Sequence, residues 1–188
     1  MPFSQKQILY VKTVIFNPSS PKDGYLGATP EILDDYYSEF SKKFIGTVEV
    51  LQGAVCTGFV EIESQEALKD VARSIEFIFK FMNRWESKWS KAPTKVSAIL
   101  EFAGAQRWQP GPDNAYHSVF HIGQKINFCI SLANSLHLLE PNSALIGENA
   151  YGVIKETKIL DTLSLNLSLL ERPIEIEKGN AYLMRQAS

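Results

Sequence analysis

The order in which two hydrophobic periods alternate along this chain constrains its fold more than any other feature. Residues 8–16, ILYVKTVIF, are apolar or β-branched at most positions and run into Asn17-Pro18-Ser19-Ser20-Pro21. This predicts a buried strand that stops at a proline-marked loop, with Asp23-Gly24 continuing the turn. Thr29-Pro30-Glu31 then supplies an N-cap hydroxyl and a proline at the first helical position. Ile32, Tyr36, Phe40 and Phe44 follow at four-residue spacing, so the segment predicts a helix that lays an aromatic stripe on a sheet and ends at Gly46. Residues 47–51 and 54–62 predict two strands joined by a tight turn at Gln52-Gly53. From Ser64 onward, Leu68, Val71, Ile75, Ile78, Met82, Trp85 and Trp89 mark the apolar face of a long helix that ends before Pro93.

Residues 95–102 predict the next strand. After the loop Gln109-Pro110-Gly111-Pro112-Asp113-Asn114, residues 118–133 predict a short strand, a glycine turn and a helix, ended by Glu140-Pro141-Asn142. Residues 144–154 predict a shorter strand and helix, and residues 163–170 and 174–183 a last pair of strands. The resulting order is β-α-β-β-α-β followed by further α and β units. Each helix must cover one face of an antiparallel sheet, which gives the α+β class: a ferredoxin-like α/β sandwich with a βαββαβ core plus extra αβ units. No repeat, low-complexity tract or long linker divides it, so residues 1–188 are expected to form a single domain.

Composition narrows the function classes. With 45% hydrophobic residues in 188, the chain is long enough for a full core. A net charge of -2 and a pI near 6.0 give no general attraction to phosphate backbones or anionic lipid, which disfavours nucleic acid as a partner. Apolar runs are far shorter than the roughly 20 residues needed to span a bilayer. The N-terminus lacks a signal core, so no membrane partner and a cytoplasmic location are expected. Cys56 and Cys129 form neither a disulfide framework nor a metal-spacing motif and read as buried thiols. The sequon Asn166-Leu167-Ser168 has no consequence without secretion.

Within residues 118–133, Gly123, Ile126, Asn127 and Leu132 fit the hydrophobic-Gly-Asp/Cys-x-hydrophobic-Asn-x-Ala-x-Arg-hydrophobic pattern of the class III nucleotide cyclases, the adenylyl and guanylyl cyclase catalytic domains. Residues 29–37 resemble that family's first helix, residues 46–55 its hairpin, and residues 95–103 its central strand. The resemblance implies a cyclase-homology-domain-like fold. It also implies a set of catalytic roles: two metal carboxylates, a base-reading Lys and Asp, a ribose-orienting Asn and a phosphate Arg. Carried onto this sequence, the metal carboxylates map to Asn17 or Pro18 and to Ala54, the base readers to Val50 and Gln124, and the phosphate Arg to Ser131. Only Asn127 keeps its family residue. The chain is therefore expected to be a catalytically degenerate cyclase-like module with no catalytic residues, no metal ligands and no cofactor. It would act by dimerising with itself or with another cyclase-like domain, by binding a protein partner, or by sensing a nucleotide through Asn127, Gln124 and Gly123.

The rival reading is an active divergent cyclase that converts a nucleoside triphosphate to a 3',5'-cyclic nucleotide and pyrophosphate. Its Mg or Mn ions would be held by relocated ligands such as Asp23. A third reading is a ferredoxin-fold domain related to cyclases by topology alone. Other tempting groups have plainer readings. His117 and His121 straddle a strand-to-turn boundary and do not share a helical face, which argues against zinc. Arg84, Lys88 and Lys91 interleave with Trp85 and Trp89, ahead of Arg107-Trp108, and read as a protein-contact surface more than a base-stacking one. Asp34, Asp35, Glu61 and Glu63 are expected to face solvent.

Overall fold

The computed structural model describes residues 3–19, 28–62, 67–108, 140–176 and 179–187. In chain order they form β1 (Phe3–Phe16), α1 (Pro30–Lys43), β2 (Thr47–Gln52), β3 (Val55–Glu61), α2 (Ala67–Lys88), β4 (Lys95–Trp108), β5 (Ser143–Gly147), α3 (Glu148–Thr157), a 3-10 turn (Ile159–Thr162), β6 (Leu167–Leu169), β7 (Ile174–Ile176) and β8 (Gly179–Gln186). Among the described residues, eight strands make one sheet in the order β2-β3-β1-β4-β5-β8-β6, with β7 also pairing β8. The first four strands and two helices are the expected ferredoxin-like βαββαβ unit. β1 lies antiparallel between β3 and β4, and β5 continues the sheet parallel to β4.

Helix α1 starts where the sequence places it: the Thr29 hydroxyl accepts the Ile32 N–H at 3.2 Å, and Pro30 occupies the first turn. Its end differs from expectation. The helix stops at Lys43, and Phe44 leaves it in an extended conformation with its ring stacked on Phe40 at 5.1 Å. Gly46 serves close packing instead, because a Cβ there would run into the Phe59 carbonyl of β3. In α2, Val71, Ile75, Ile78, Met82 and Trp85 are buried as the periodicity requires, whereas Leu68 is 43% exposed. The hairpin turn falls at Gly53-Ala54, one residue later than expected, with Gly53 at φ 58°. The final run resolves into three short strands, β7 and β8 pairing from Ile174 with Ala181 to Ile176 with Gly179.

Alternation along β1 sorts the sheet into two faces. Leu9, Val11 and Ile15 enter the large core beneath α1, α2 and α3. Val14 and Phe16 point the other way, into a smaller cluster with Ile99, Leu145, Ile176 and Leu183. The larger core is unusually aromatic. Tyr36, Phe40, Phe44, Phe77, Phe81 and Trp85 meet ring to ring between the two helices, with centroids 5.1 to 6.0 Å apart. Burying each such side chain contributes about 1.5–3 kcal/mol, so the α1–α2 seam helps to anchor the layer.

Candidate functional site

The sheet end where β1 stops and the β2–β3 hairpin turns is where the cyclase resemblance locates metal chemistry. The strands bring the relevant positions together: the Ile15 N–H donates to the Ala54 carbonyl at 2.8 Å, and Asn17 follows two residues on. The local geometry is structural. Asn17 Oδ1 accepts the Ser19 N–H at 3.0 Å, closing its own turn. The hairpin tip is tied down by α1, since the Tyr37 hydroxyl donates to the Gly53 carbonyl at 2.6 Å and the Tyr36 hydroxyl to the Ala54 carbonyl at 3.3 Å. Tyr36 also shares a 2.7 Å hydrogen bond with Thr13. Burial pushes the Tyr36 phenol well above its ordinary value and the free Cys56 thiol up to about 12, so both are neutral at physiological pH.

These residues do not fit a divalent metal pair. An amide oxygen spent on its own turn and an alanine methyl offer no anionic ligand where two carboxylates are needed. Among the described residues, no group of three or more His, Cys, Asp and Glu is arranged to hold a metal ion. Val50, to which the resemblance carries the base-reading Lys, lies on β2 directly opposite Thr57 after a register shift at Glu49, and its side chain is apolar and half-buried. Gly123, Gln124, Asn127 and Ser131, with Asp23, His117, His121 and Cys129, lie outside the described residues. Pro18 is exposed beside Asn17.

A second constellation occupies the outer surface of the helices, and it corrects two expectations. Asp35 does not face solvent freely: its carboxylate accepts from Arg84 Nη1 and Nη2 at 3.0 Å each, Lys88 Nζ at 2.9 Å and Trp89 Nε1 at 2.8 Å. Arg84 Nε also pairs with Glu39 at 3.3 Å. Burial alone would raise the Asp35 pKa, but the donors from Arg84, Trp89 and Lys88 outweigh it and hold the carboxyl well below the usual range. The tryptophans are not an exposed contact surface either. Trp85 is 1% exposed with its indole N–H on the Thr94 carbonyl at 3.2 Å, and Trp89 is spent on Asp35. Beside this hub, Ile45, Phe77 and Phe81 floor a groove of about 370 Å³ rimmed by Lys43, Arg73, Lys80 and Glu76.

Sequence reading did not single out Glu101. It is 3% exposed and stands in for the side-chain cap that Gly147 cannot give α3: its Oε1 accepts the Ala150 N–H at 3.0 Å and the Phe102 N–H at 2.7 Å. Burial raises its pKa, with the N–H groups of Phe102, Ala150 and Asn149 opposing. A glutamate inside the apolar run of β4 was the available signal, but its partner lies 49 residues away.

Sheet order, helix placement and the parallel addition of β5 define a class: this is the fold of nucleotide cyclase catalytic domains. The adenylyl cyclase CyaB from P. aeruginosa superimposes with a TM-score of 0.68 at 16% identity, covering 100% of this chain and 97% of that one. The catalytic core of a rhodopsin-guanylyl cyclase with converted specificity, in complex with ATPalphaS, gives 0.60 at 13% identity over 98% of each chain. The monomeric guanylyl cyclase domain of the RhoGC fusion protein from the aquatic fungus Blastocladiella emersonii gives 0.57 at 12% identity over 99% of each. By sequence, no protein-family model and no curated protein matches the chain. Among the described residues, no helix is long and apolar enough to cross a membrane.

Proposed function

We propose that this chain is a single cyclase-fold module, residues 1–188, that has lost cyclase chemistry and works in the cytoplasm as a regulatory domain. It pairs with itself or with another cyclase-like domain and senses a nucleotide through Asn127, Gln124 and Gly123. The observation that carries the reading is the sheet end at Asn17 and Ala54. There the family's two metal carboxylates are replaced by a turn-closing amide and a methyl group, on a backbone pinned by Tyr36 and Tyr37. Charge stabilisation of this kind commonly contributes several powers of ten in rate, so losing it removes catalysis while leaving the fold intact. Support for a nucleotide ligand comes from the solved neighbour that holds ATPalphaS on the same fold. The groove between α1 and α2, floored by Phe77 and Phe81 and rimmed by charges of both signs, offers a protein partner a surface separate from the sheet end.

Two measurements on the purified protein test this reading. Analytical ultracentrifugation with and without ATP or GTP is expected to show a concentration-dependent dimer. Calorimetry is expected to show saturable binding of one nucleotide that Asn127→Ala weakens. A monomer at all concentrations that binds neither nucleotide would refute it.

A further inference from the structure

The face of the sheet turned away from α1 and α2 carries a cross-strand row that the pairing registers define. Val50 on β2 lies opposite Thr57 on β3, Thr57 opposite Lys12 on β1, Lys12 opposite Ile99 on β4, Ile99 beside Leu145 on β5, and Leu145 opposite Leu183 on β8. Directly paired residues point to the same side of a sheet. The neighbouring pair Thr13 and Cys56 points to the helices, where Thr13 bonds Tyr36, so Lys12 and Thr57 point to the opposite face. The row is apolar except for these two.

Both groups are unspent among the described residues. Thr57 is 4% exposed and its hydroxyl has no hydrogen-bond partner there, unlike Thr13, which finds Tyr36 and the Cys56 carbonyl. Lys12 is partly exposed and makes no ion pair or hydrogen bond among the described residues. Ser97 and Glu101, on the same face of β4, are satisfied: Ser97 donates to the Ser143 carbonyl at 2.9 Å, and Glu101 is held by backbone N–H groups. Lysine is seldom drawn into a sheet centre without a counter-charge, and a buried hydroxyl is seldom left unpaired. Two donors whose Cβ atoms lie about 4.5–5.5 Å apart, one of them cationic, match an oxyanion in charge and span.

We propose that Lys12 and Thr57 together bind a phosphate oxyanion of a small molecule. This inference deepens the nucleotide-sensing reading and rests on it for the identity of the ligand. Lys12 would supply the charge and Thr57 the short, directional hydrogen bond.

The test is calorimetry of the full chain with ATP, GTP and inorganic pyrophosphate, in the wild type and in Lys12→Met, Lys12→Arg, Thr57→Val and Asn127→Ala. A charge-assisted hydrogen bond is worth about 1.5–3 kcal/mol, or roughly ten- to hundredfold in affinity. Lys12→Met and Thr57→Val are therefore expected to weaken all three ligands by that factor, Lys12→Arg to recover part of the loss, and Asn127→Ala to weaken the nucleotides alone. Thr57→Val keeps the side-chain shape, and matching circular dichroism with cooperative thermal unfolding establishes that every variant folds. If the nucleotides bind and respond to Asn127→Ala but not to Lys12→Met, the oxyanion site is overturned and nucleotide sensing stands. If pyrophosphate alone binds and is lost in Lys12→Met, the oxyanion site stands and nucleotide sensing fails. If none of the three binds, the proposal is overturned.

Discussion

Replacing Asp35 with Asn tests whether the charged hub on the helix surface locks α1 to α2. The carboxylate receives four hydrogen bonds from three side chains of α2 and its C-terminal extension, and with Glu39 it balances two cations. An Asn in the same place loses the charge and turns an amide N–H toward at least one donor. Breaking one partner of a fully buried ion pair costs about 3–5 kcal/mol. Here Asp35 is 15% exposed but Arg84 is 36% and Lys88 47% exposed, so water screens the cations. The expected loss is about 2–3 kcal/mol at pH 7. Urea unfolding followed by tryptophan fluorescence measures it directly, because Trp85 and Trp89 report on the seam. The sign with pH is fixed: the folded pKa of Asp35 is depressed below its ordinary 3.8, so its stabilisation is full above that value and drains away as pH falls below it. The difference between wild type and Asp35→Asn should begin to shrink below about pH 4 and keep shrinking as pH falls toward the depressed folded value. A difference under about 0.5 kcal/mol at pH 7, or one undiminished at pH 2.5, would refute the hub as a lock.

Three further outcomes follow from the site geometry. Glu101 has a raised folded pKa, so native protein binds its proton more tightly than unfolded chain and stability falls as pH rises from 4.5 through the folded value; in Glu101→Gln, which retains the accepting oxygen, pH-dependent urea unfolding should lose that slope. Gly147→Ala places a Cβ against the Glu101 carboxylate, and displacing that cap should cost about 1–3 kcal/mol by thermal unfolding, with α3 amides exchanging faster. Restoring both acids in Asn17→Asp/Ala54→Asp should create manganese binding visible by calorimetry, since the two positions share one sheet end; no heat with manganese would mean that the mapped positions are misassigned.

The parts of the fold legible in the sequence are those whose causes are local. Thr29 and Pro30 announce a helix start because cap and φ restriction act within one turn, and Ile32, Tyr36 and Phe40 announce its buried face through spacing alone. Leu68 broke the pattern because the first turn of α2 runs past the edge of the core, which periodicity cannot show. Asp35 as a solvent-facing charge, and Trp85 and Trp89 as a contact surface, were misread for a related reason, although spacing alone had put Trp85 on the buried face. Whether a charge faces water depends on which residue of another helix stands opposite, and Arg84 is 49 positions away. The cyclase resemblance mapped its roles onto Asn17, Val50 and Ala54 without geometry, and of these Asn17 follows the end of β1 and Ala54 lies in the hairpin turn, whereas Val50 lies within β2. The Lys12–Thr57 pair was invisible until the register was known, because a shift of one residue would have turned either side chain to the other face.

The central claim is that a cyclase fold persists here without cyclase chemistry. The most direct test incubates purified protein with ATP, GTP, CTP or UTP and manganese, following cyclic nucleotide and pyrophosphate together. The account predicts neither product above the level of a protein-free control with any of the four. Cyclic nucleotide released in step with pyrophosphate, and abolished by Asp23→Ala, would contradict it and place the metal ligands in a relocated site.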